Sequence, residues 1–393
     1  MTRQTLVLGA GMTPFKTPRT SPDYVALGAS AIRAALADAD IPYSAIEQAF
    51  GGYVYGDSCS AHRVAYDVGL SGIPIFNVNS NCSSGSSALY LARQAVASGA
   101  AECALAFGFE QMPSGALVEH WKDRPGPLDR FVGIADAWLG GSDGPMAPRL
   151  FSAAGREYQQ RYGAGPETFA AITVKNRRHA AANPRAVFRE PLTVKEVLQS
   201  PAVCDPLTRF QCCAPTCGGA AVLVVSEAFA GRHGRQRAIR IAGQGLTTDI
   251  PGSFAGSAID AVGFEIGRQA AAQAYAAAGI GPEEADVAEV HDCFTVNEIL
   301  AYEALGLCGL GEAEGFVASG ANTYGGRCVT NPSGGLLSKG HPLGATGLAQ
   351  CFELVTQLRG EAGERQVGDA RIAIAHNIGI GSTCIVTVYR CDA

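Results

Sequence analysis

The 393-residue chain lacks most features that assign a protein quickly. No apolar stretch reaches the roughly 20 residues needed to cross a bilayer. The N-terminus has no basic, apolar, small-residue pattern of a secretion signal. An excess of positive charge is also missing. The formal net charge is −6 and only 17% of residues are charged, which argues against a general role on nucleic acid or membrane surfaces. A local basic patch could still hold an anionic group. The 13 cysteines show no zinc-ribbon spacing, and their odd number argues against a disulfide framework. Cys212 and Cys213 are adjacent, which suits neither a C-x-x-C motif nor an ordinary bridge. Mostly buried thiols in a reducing, cytoplasmic compartment are expected. The last residues, Arg390-Cys391-Asp392-Ala393, carry no peroxisomal or retention address. A dinucleotide fold is excluded as well. Gly9-Ala10-Gly11 follows a strand, but Pro14 stands where the third glycine belongs.

What is present is an apolar fraction of 47% and 49 glycines. These fit a globular chain of two or three packed domains with many tight strand-to-helix turns. Thr5–Leu8 reads as a buried strand ending at Gly9, and Asp23 as the cap of a helix. Tyr53–Tyr55, Phe76–Asn79, Cys103–Phe107, Ala220–Val225 and Ala238–Ala242 read as further strands. From about 113 to 215 Pro, Arg and Trp become frequent and strand signals fade, so a mostly helical insertion is expected there.

The second half repeats the first. Ala35–Tyr53 parallels Tyr275–Cys293, and Cys82-Ser-Ser-Gly85 parallels His341-Pro-Leu-Gly344. Ala104–Gly108 parallels Ile372 to His376. The reading is an internal duplication into two α/β units, 1–250 (with the insertion) and 251–393. It places Cys82 and His341 at equivalent points, each just before a helix.

Four segments could carry chemistry. Cys82 lies between a strand and a helix, where the helix dipole is expected to lower its pKa; the alternative is one more buried thiol. His341, in Gly340-His-Pro-Leu-Gly-Ala-Thr-Gly347, could take the cysteine proton or donate to an oxyanion. His291-Asp292-Cys293-Phe294 pairs a donor with an acid/base thiol; a plain turn or a metal site is the alternative, though zinc would show more clustered ligands and no metal is expected. Gly379, after His376-Asn377-Ile378, could turn its N–H toward a carbonyl. Lys175-Asn176-Arg177-Arg178-His179 is a basic run in an otherwise acidic chain, a candidate for phosphate contacts through Lys175, Arg177 and Arg178. A solvated helix face is the alternative.

Together these segments resemble the thiolase superfamily over nearly the whole chain, specifically its sterol-carrier-protein-type thiolases without the carrier domain. Asn322–Gly326, Asn331–Gly335 and Leu354–Arg365 add to the match. The resemblance implies a thiolase fold: two duplicated α/β halves in an α-β-α-β-α core with a mostly helical loop-domain insertion. It implies thiolysis of a 3-oxoacyl-CoA, with acyl-CoA and CoA as substrates and no tightly bound cofactor. Cys82 would be the nucleophile and His341 its base. His291 would be a second donor to the first oxyanion. Cys293 would be the acid/base thiol, and the N–H groups of Cys82 and Gly379 a second oxyanion hole. Most thiolases take the acid/base thiol from a C-terminal C-x-G, where this chain has Asn377. Ser83-Ser84, Ser382 and Gly218 are further departures. A homodimer or dimer of dimers, joined through the strand leading to Cys82, is implied. The chemistry is reversible, so Claisen condensation is an alternative direction. A thiolase-fold aldolase with a small OB-fold partner and a non-catalytic acyl-CoA-binding scaffold are the other readings.

Overall fold

The computed structural model describes residues 3–115, 121–141, 144–381 and 383–392. In chain order the first half runs β1 (Thr5–Met12), α1 (Tyr24–Ala39), β2 (Gln48–Gly52), α2 (Ser60–Val68), β3 (Ile75–Val78), α3 (Ser84–Ser98) and β4 (Cys103–Glu110). A mostly helical stretch follows: α4 (Asp129–Leu139), α5 (Met146–Tyr162), α6 (Pro166–Ala181) and α7 (Val194–Leu198), with the short pair β5 (Ala202–Cys204) and β6 (Leu207–Thr208). β7 (Gly218–Ser226) and α8 (Glu227–His233) return to the sheet. The second half begins before residue 250, not at 251, because its first strand is the counterpart of β1: it runs β8 (Ile239–Thr247), α9 (Ala258–Ala261), α10 (Phe264–Ala278), β9 (Val287–Glu289), α11 (Thr295–Ala304), α12 (Ala313–Ala318) and β10 (Val329–Thr330). It ends with α13 (Gly335–Ser338), α14 (Thr346–Leu358), β11 (Ile372–Gly379) and β12 (Thr383–Arg390). Among the described residues no helix is long and apolar enough to cross a membrane.

The sheet order is β10-β9-β11-β12-β8-β1-β7-β4-β2-β3. Read outward from the β8–β1 contact, the two halves are the same sheet twice. β3 and β10 lie parallel to β2 and β9, which lie parallel to β4 and β11. Those two in turn run antiparallel to β7 and β12. β4 and β7 are buried along their whole length because helices cover both faces, which is why they read as unbroken apolar runs.

Three apolar clusters mark the helical layers. One joins α1 and α2 to the first sheet through Ile32, Ala61 and Val64. A central one packs α3 (Leu89, Ala92, Val96) against α14 (Leu348, Leu354, Val355) between the sheets. The third packs α10, α11 and the inserted helices on the far face of the second sheet. This is the layered α-β-α-β-α arrangement. Each fully buried Leu or Val in the central layer contributes about 1.5–3 kcal/mol, and they draw the two halves together.

Two strand boundaries differ from the sequence reading. β1 does not stop at Gly9 but runs to Met12, with a register shift against β7 between Val7 and Gly9. Gly9 marks close packing rather than a turn: a Cβ there would sit 2.4 Å from the Ala35 carbonyl of α1. β2 ends at Gly52, so Tyr53–Tyr55 follow the strand instead of forming one. The Asp23 cap is as expected, its carboxylate accepting from Ala26 N at 2.8 Å.

Candidate active site

Cys82 stands at the mouth of α3. The chain leaves β3, and Asn81 turns it with a φ of 52°, a left-handed conformation that Asn tolerates better than most residues. The Ser84 hydroxyl donates to Asn81 O at 2.7 Å and accepts from Ser80 N at 2.9 Å, while Ser83 Oγ donates to Ser80 O at 2.7 Å. The two serines that depart from the expected pattern therefore brace the turn carrying the thiol. Asn81 Nδ2 donates to Ile380 O at 3.1 Å, tying this turn to the end of β11.

The sister turn, Gly340–Ala345, meets it across the central layer. Gly344 lies so close to the first half that a Cβ would be 2.5 Å from Gly52 O. Its N–H donates to the Glu110 carboxylate at 3.0 Å. His341 N donates to Thr216 Oγ1 at 2.6 Å. The ring is held by Nδ1, 2.7 Å from Thr346 Oγ1, whose hydroxyl donates to Pro342 O at 2.9 Å. That leaves Thr346 as acceptor, so Nδ1 carries the proton and Nε2 the lone pair. Nε2 is buried with no hydrogen-bond partner among the described residues. Burial, and then the Lys339 charge, hold the ring down to about 3, so it is neutral and its lone pair is uncommitted.

His291 follows β9. Its Nδ1 lies 2.7 Å from Asn377 Nδ2, and its ring packs edge-on to His341 with centroids 5.0 Å apart. The Cys82 sulfur and one ring nitrogen of each histidine lie within 4.8 Å of one another. Cys293 is buried beside them, and all four border one cavity of about 250 Å³. Its other walls are almost entirely apolar, among them Met112, Leu128, Phe151, Phe294 and Leu343. Gly379 closes β11 one residue before Ile380, which lines the cavity. Ser382 lies outside the described residues.

The thiol is not acidified as expected. Burial first, and the Glu110 charge second, push Cys82 up to about 12. A helix terminus is worth about 0.3–1 kcal/mol to an anion, whereas taking an ion out of water costs several; desolvation wins. Resting Cys82 is therefore a neutral thiol beside a neutral base. Cys212 and Cys213 also line the cavity, and Cys213 N donates to Cys293 O at 2.9 Å. Their sequence signal was adjacency alone, which does not mark a pocket.

Comparisons with known proteins identify the family. The thiolase N-terminal domain model matches residues 5–228, and the thiolase C-terminal domain-like model matches residues 255–390. The chain belongs to the thiolase family. It is 49% identical to rat sterol carrier protein 2 over 98% of this chain and 71% of that one. The solved Ltp2-ChsH2(DUF35) aldolase is 27% identical with a TM-score of 0.84, covering 99% of this chain and 98% of that one. Human mitochondrial 3-ketoacyl-CoA thiolase in complex with CoA shares the fold, with a TM-score of 0.73 and 18% identity over 100% of this chain and 98% of that one. Coarsely, the protein is a thiolase-family acyltransferase.

The basic run of this thiolase does not reach the cavity. Lys175 is buried and ion-paired with Glu298, with Nζ also donating to Thr330 Oγ1 at 2.8 Å. It is a structural cation, which corrects its assignment to phosphates. The helix α6 turns this residue inward because its neighbours Ile172 and His179 face the core. Arg177 stacks over Phe188 at 4.9 Å, and exposed Arg178 borders a different cavity with Tyr324 and Arg365. Lys175→Met is expected to destabilise the fold by about 3–5 kcal/mol, since Glu298 loses its counter-ion. Urea unfolding measures it; an unchanged midpoint together with weakened CoA binding would restore the phosphate role.

Gly218, the remaining departure, has no room for a side chain: a Cβ would strike the Phe15 ring at 2.2 Å. Burial pushes the Glu110 carboxyl up to about 7 despite N–H donors from Tyr55, Gly344 and Val54. A carboxyl raised in the fold stabilises most below its ordinary pKa of 4.5 and loses that contribution as pH rises to about 7. Glu110→Gln removes a negative neighbour of Cys82, so the midpoint for iodoacetamide alkylation of Cys82 should move to lower pH. An unmoved midpoint would show that the carboxylate does not act on the thiol.

Proposed function

We propose that this chain cleaves 3-oxoacyl-CoA with CoA, giving acetyl-CoA and a shortened acyl-CoA through an acyl-enzyme on Cys82. The observation that carries the reading is the free lone pair of His341 Nε2 beside the Cys82 thiol, over an apolar cavity that also holds Cys293. CoA as substrate is supported by the CoA complex of the human mitochondrial relative in fold.

The steps follow from the positions. His341 Nε2 takes the Cys82 proton as the sulfur adds to the 3-keto carbon. The oxyanion is stabilised by His291 and the new His341 N–H, each such donor being worth roughly 2.7–4 kcal/mol in the transition state. Collapse breaks the C2–C3 bond. The departing acetyl-CoA enolate takes a proton from Cys293, leaving that thiolate and an acyl group on Cys82. CoA then gives its thiol proton to Cys293 and adds to the acyl carbonyl. The N–H groups of Cys82 and Gly379 are the proposed donors to this second oxyanion. Cys82 leaves and recovers its proton from His341, so both thiols and the imidazole end as they began. Claisen condensation is the same sequence reversed.

The assay is CoA-dependent loss of 3-oxoacyl-CoA absorbance across a panel of linear and branched substrates. No loss with any substrate, and no acyl adduct, would leave the non-catalytic reading. The aldolase reading, favoured by the likeness to the DUF35-associated enzyme, needs no acyl-enzyme and no second thiol. Cleavage of a 3-hydroxyacyl-CoA to a carbonyl compound and a shortened acyl-CoA, without CoA and without an adduct, would select it. A homodimer is proposed through β3, an edge strand whose Phe76 is 48% exposed.

A further inference from the structure

We infer that Ser86 and Asn377 form a relay that fixes the tautomer of His291, making Asn377 a positioning residue for the first oxyanion; the inference rests on the thiolase reading above. Ser86 lies in the first turn of α3, two residues past the brace around Cys82, and Asn377 in β11. They belong to different halves of the duplication, and both are buried. The Ser86 hydroxyl donates to Asn377 Oδ1 at 2.8 Å. That orients the amide, so Nδ2 faces His291 Nδ1 at 2.7 Å.

An amide NH₂ can only donate. His291 Nδ1 must therefore accept, and the proton of the neutral ring stands on Nε2. Burial and the two neighbouring imidazoles, His341 and His376, hold His291 well below the ordinary histidine range, so the ring does not gain a second proton. The two histidines at the cavity thus differ in kind. Thr346 accepts from His341 and leaves the lone pair on its Nε2, while Asn377 donates to His291 and leaves an N–H on its Nε2. One is a base before the reaction begins and the other is an oxyanion donor. The same division tells against the Cys82, His291 and His341 cluster as a metal site, since a metal needs a lone pair where His291 carries a proton.

The hydrogen bond has a further effect. A neutral imidazole is free to exchange tautomers, and the wrong one would aim a lone pair at the developing negative charge. The relay removes that state without adding a charge near the thiol. A carboxylate in place of Asn377 would do the opposite: it would accept from Nδ1–H and strip the proton from Nε2.

The test is ¹⁵N-histidine NMR of the full chain, helped by there being only seven histidines. His291→Gln assigns the signal. Wild type should show His291 protonated on Nε2 with Nδ1 as an acceptor. Asn377→Asp, measured well above the ordinary histidine range, should move the proton to Nδ1. It should also lower kcat on the order of 10²–10³-fold, the loss of one oxyanion donor, with KM for CoA little changed. Ser86→Ala should give a smaller loss in kcat and a mixed tautomer signal, and it serves if Asn377→Asp does not fold. A wild-type His291 protonated on Nδ1 would overturn the relay. So would Asn377→Asp or Ser86→Ala variants that keep both the Nε2–H signal and full turnover. The NMR reading needs no turnover, so a relay found in a protein without thiolysis activity would sink the proposed function and not the relay.

Discussion

Cys82→Ala is expected to abolish turnover, by on the order of 10⁵-fold or more, as removal of a covalent nucleophile does. Wild-type protein mixed with an acyl-CoA should carry an acyl adduct on Cys82 by mass spectrometry. Of the thiols bordering the cavity, Cys82 lies within 4.8 Å of a ring nitrogen of His341, whose Nε2 has no hydrogen-bond partner among the described residues. Because burial pushes the thiol up to about 12 and holds His341 down to about 3, the proton rests on sulfur. Activation therefore waits for substrate, and His341→Ala should lower kcat far more than it changes KM. An adduct found on Cys293 with Cys82 untouched would reverse the assignment.

The second large effect is expected at Cys293. Cys293→Ala should lower thiolysis on the order of 10²–10⁴-fold, the usual worth of a general acid–base group, while Cys82 is still acylated by a simple acyl-CoA. Cys384→Ala should be nearly silent, because Cys384 sits in the apolar cluster beneath α10 and away from the cavity wall. Burial raises both thiols, but Cys293 also feels Cys213, Cys82 and Asp292. Asp292 accepts from Leu336 N at 2.6 Å and from Asn176 Nδ2 at 2.7 Å, so the backbone carrying Cys293 is held rigidly. Cys213→Ala is the discriminating control. If it removes turnover and Cys293→Ala does not, the proton is handled one residue farther along the wall.

Much of this was legible in the sequence because the chain states its plan twice. The repeat linking Cys82 to His341 predicted that two turns would meet, and in the structure they meet through Gly344. Apolar runs such as Cys103–Phe107 marked strands covered on both faces. What escaped depends on contacts between distant residues. Lys175 looked like a solvent cation because its partner Glu298 is far away in the chain and on another helix. The helix-dipole expectation for Cys82 ignored desolvation, which is a property of the assembled cavity. Cys213 gave no sign beyond its neighbour Cys212. Asn377 read as a thiol gone missing; its use emerged only with Ser86, which is brought to it from the other half.

The duplication also bears on the birth of the protein. Sulfur is carried by the first copy and its base by the second. A ribosome that has made the first half has made the nucleophile without His341, the imidazole that takes its proton. The pair forms only when α14, which follows His341 in the chain, docks on α3. Until then Cys82 is an ordinary thiol without the base that the finished cavity sets beside it, so the split between copies ties the reactive pair to completed folding.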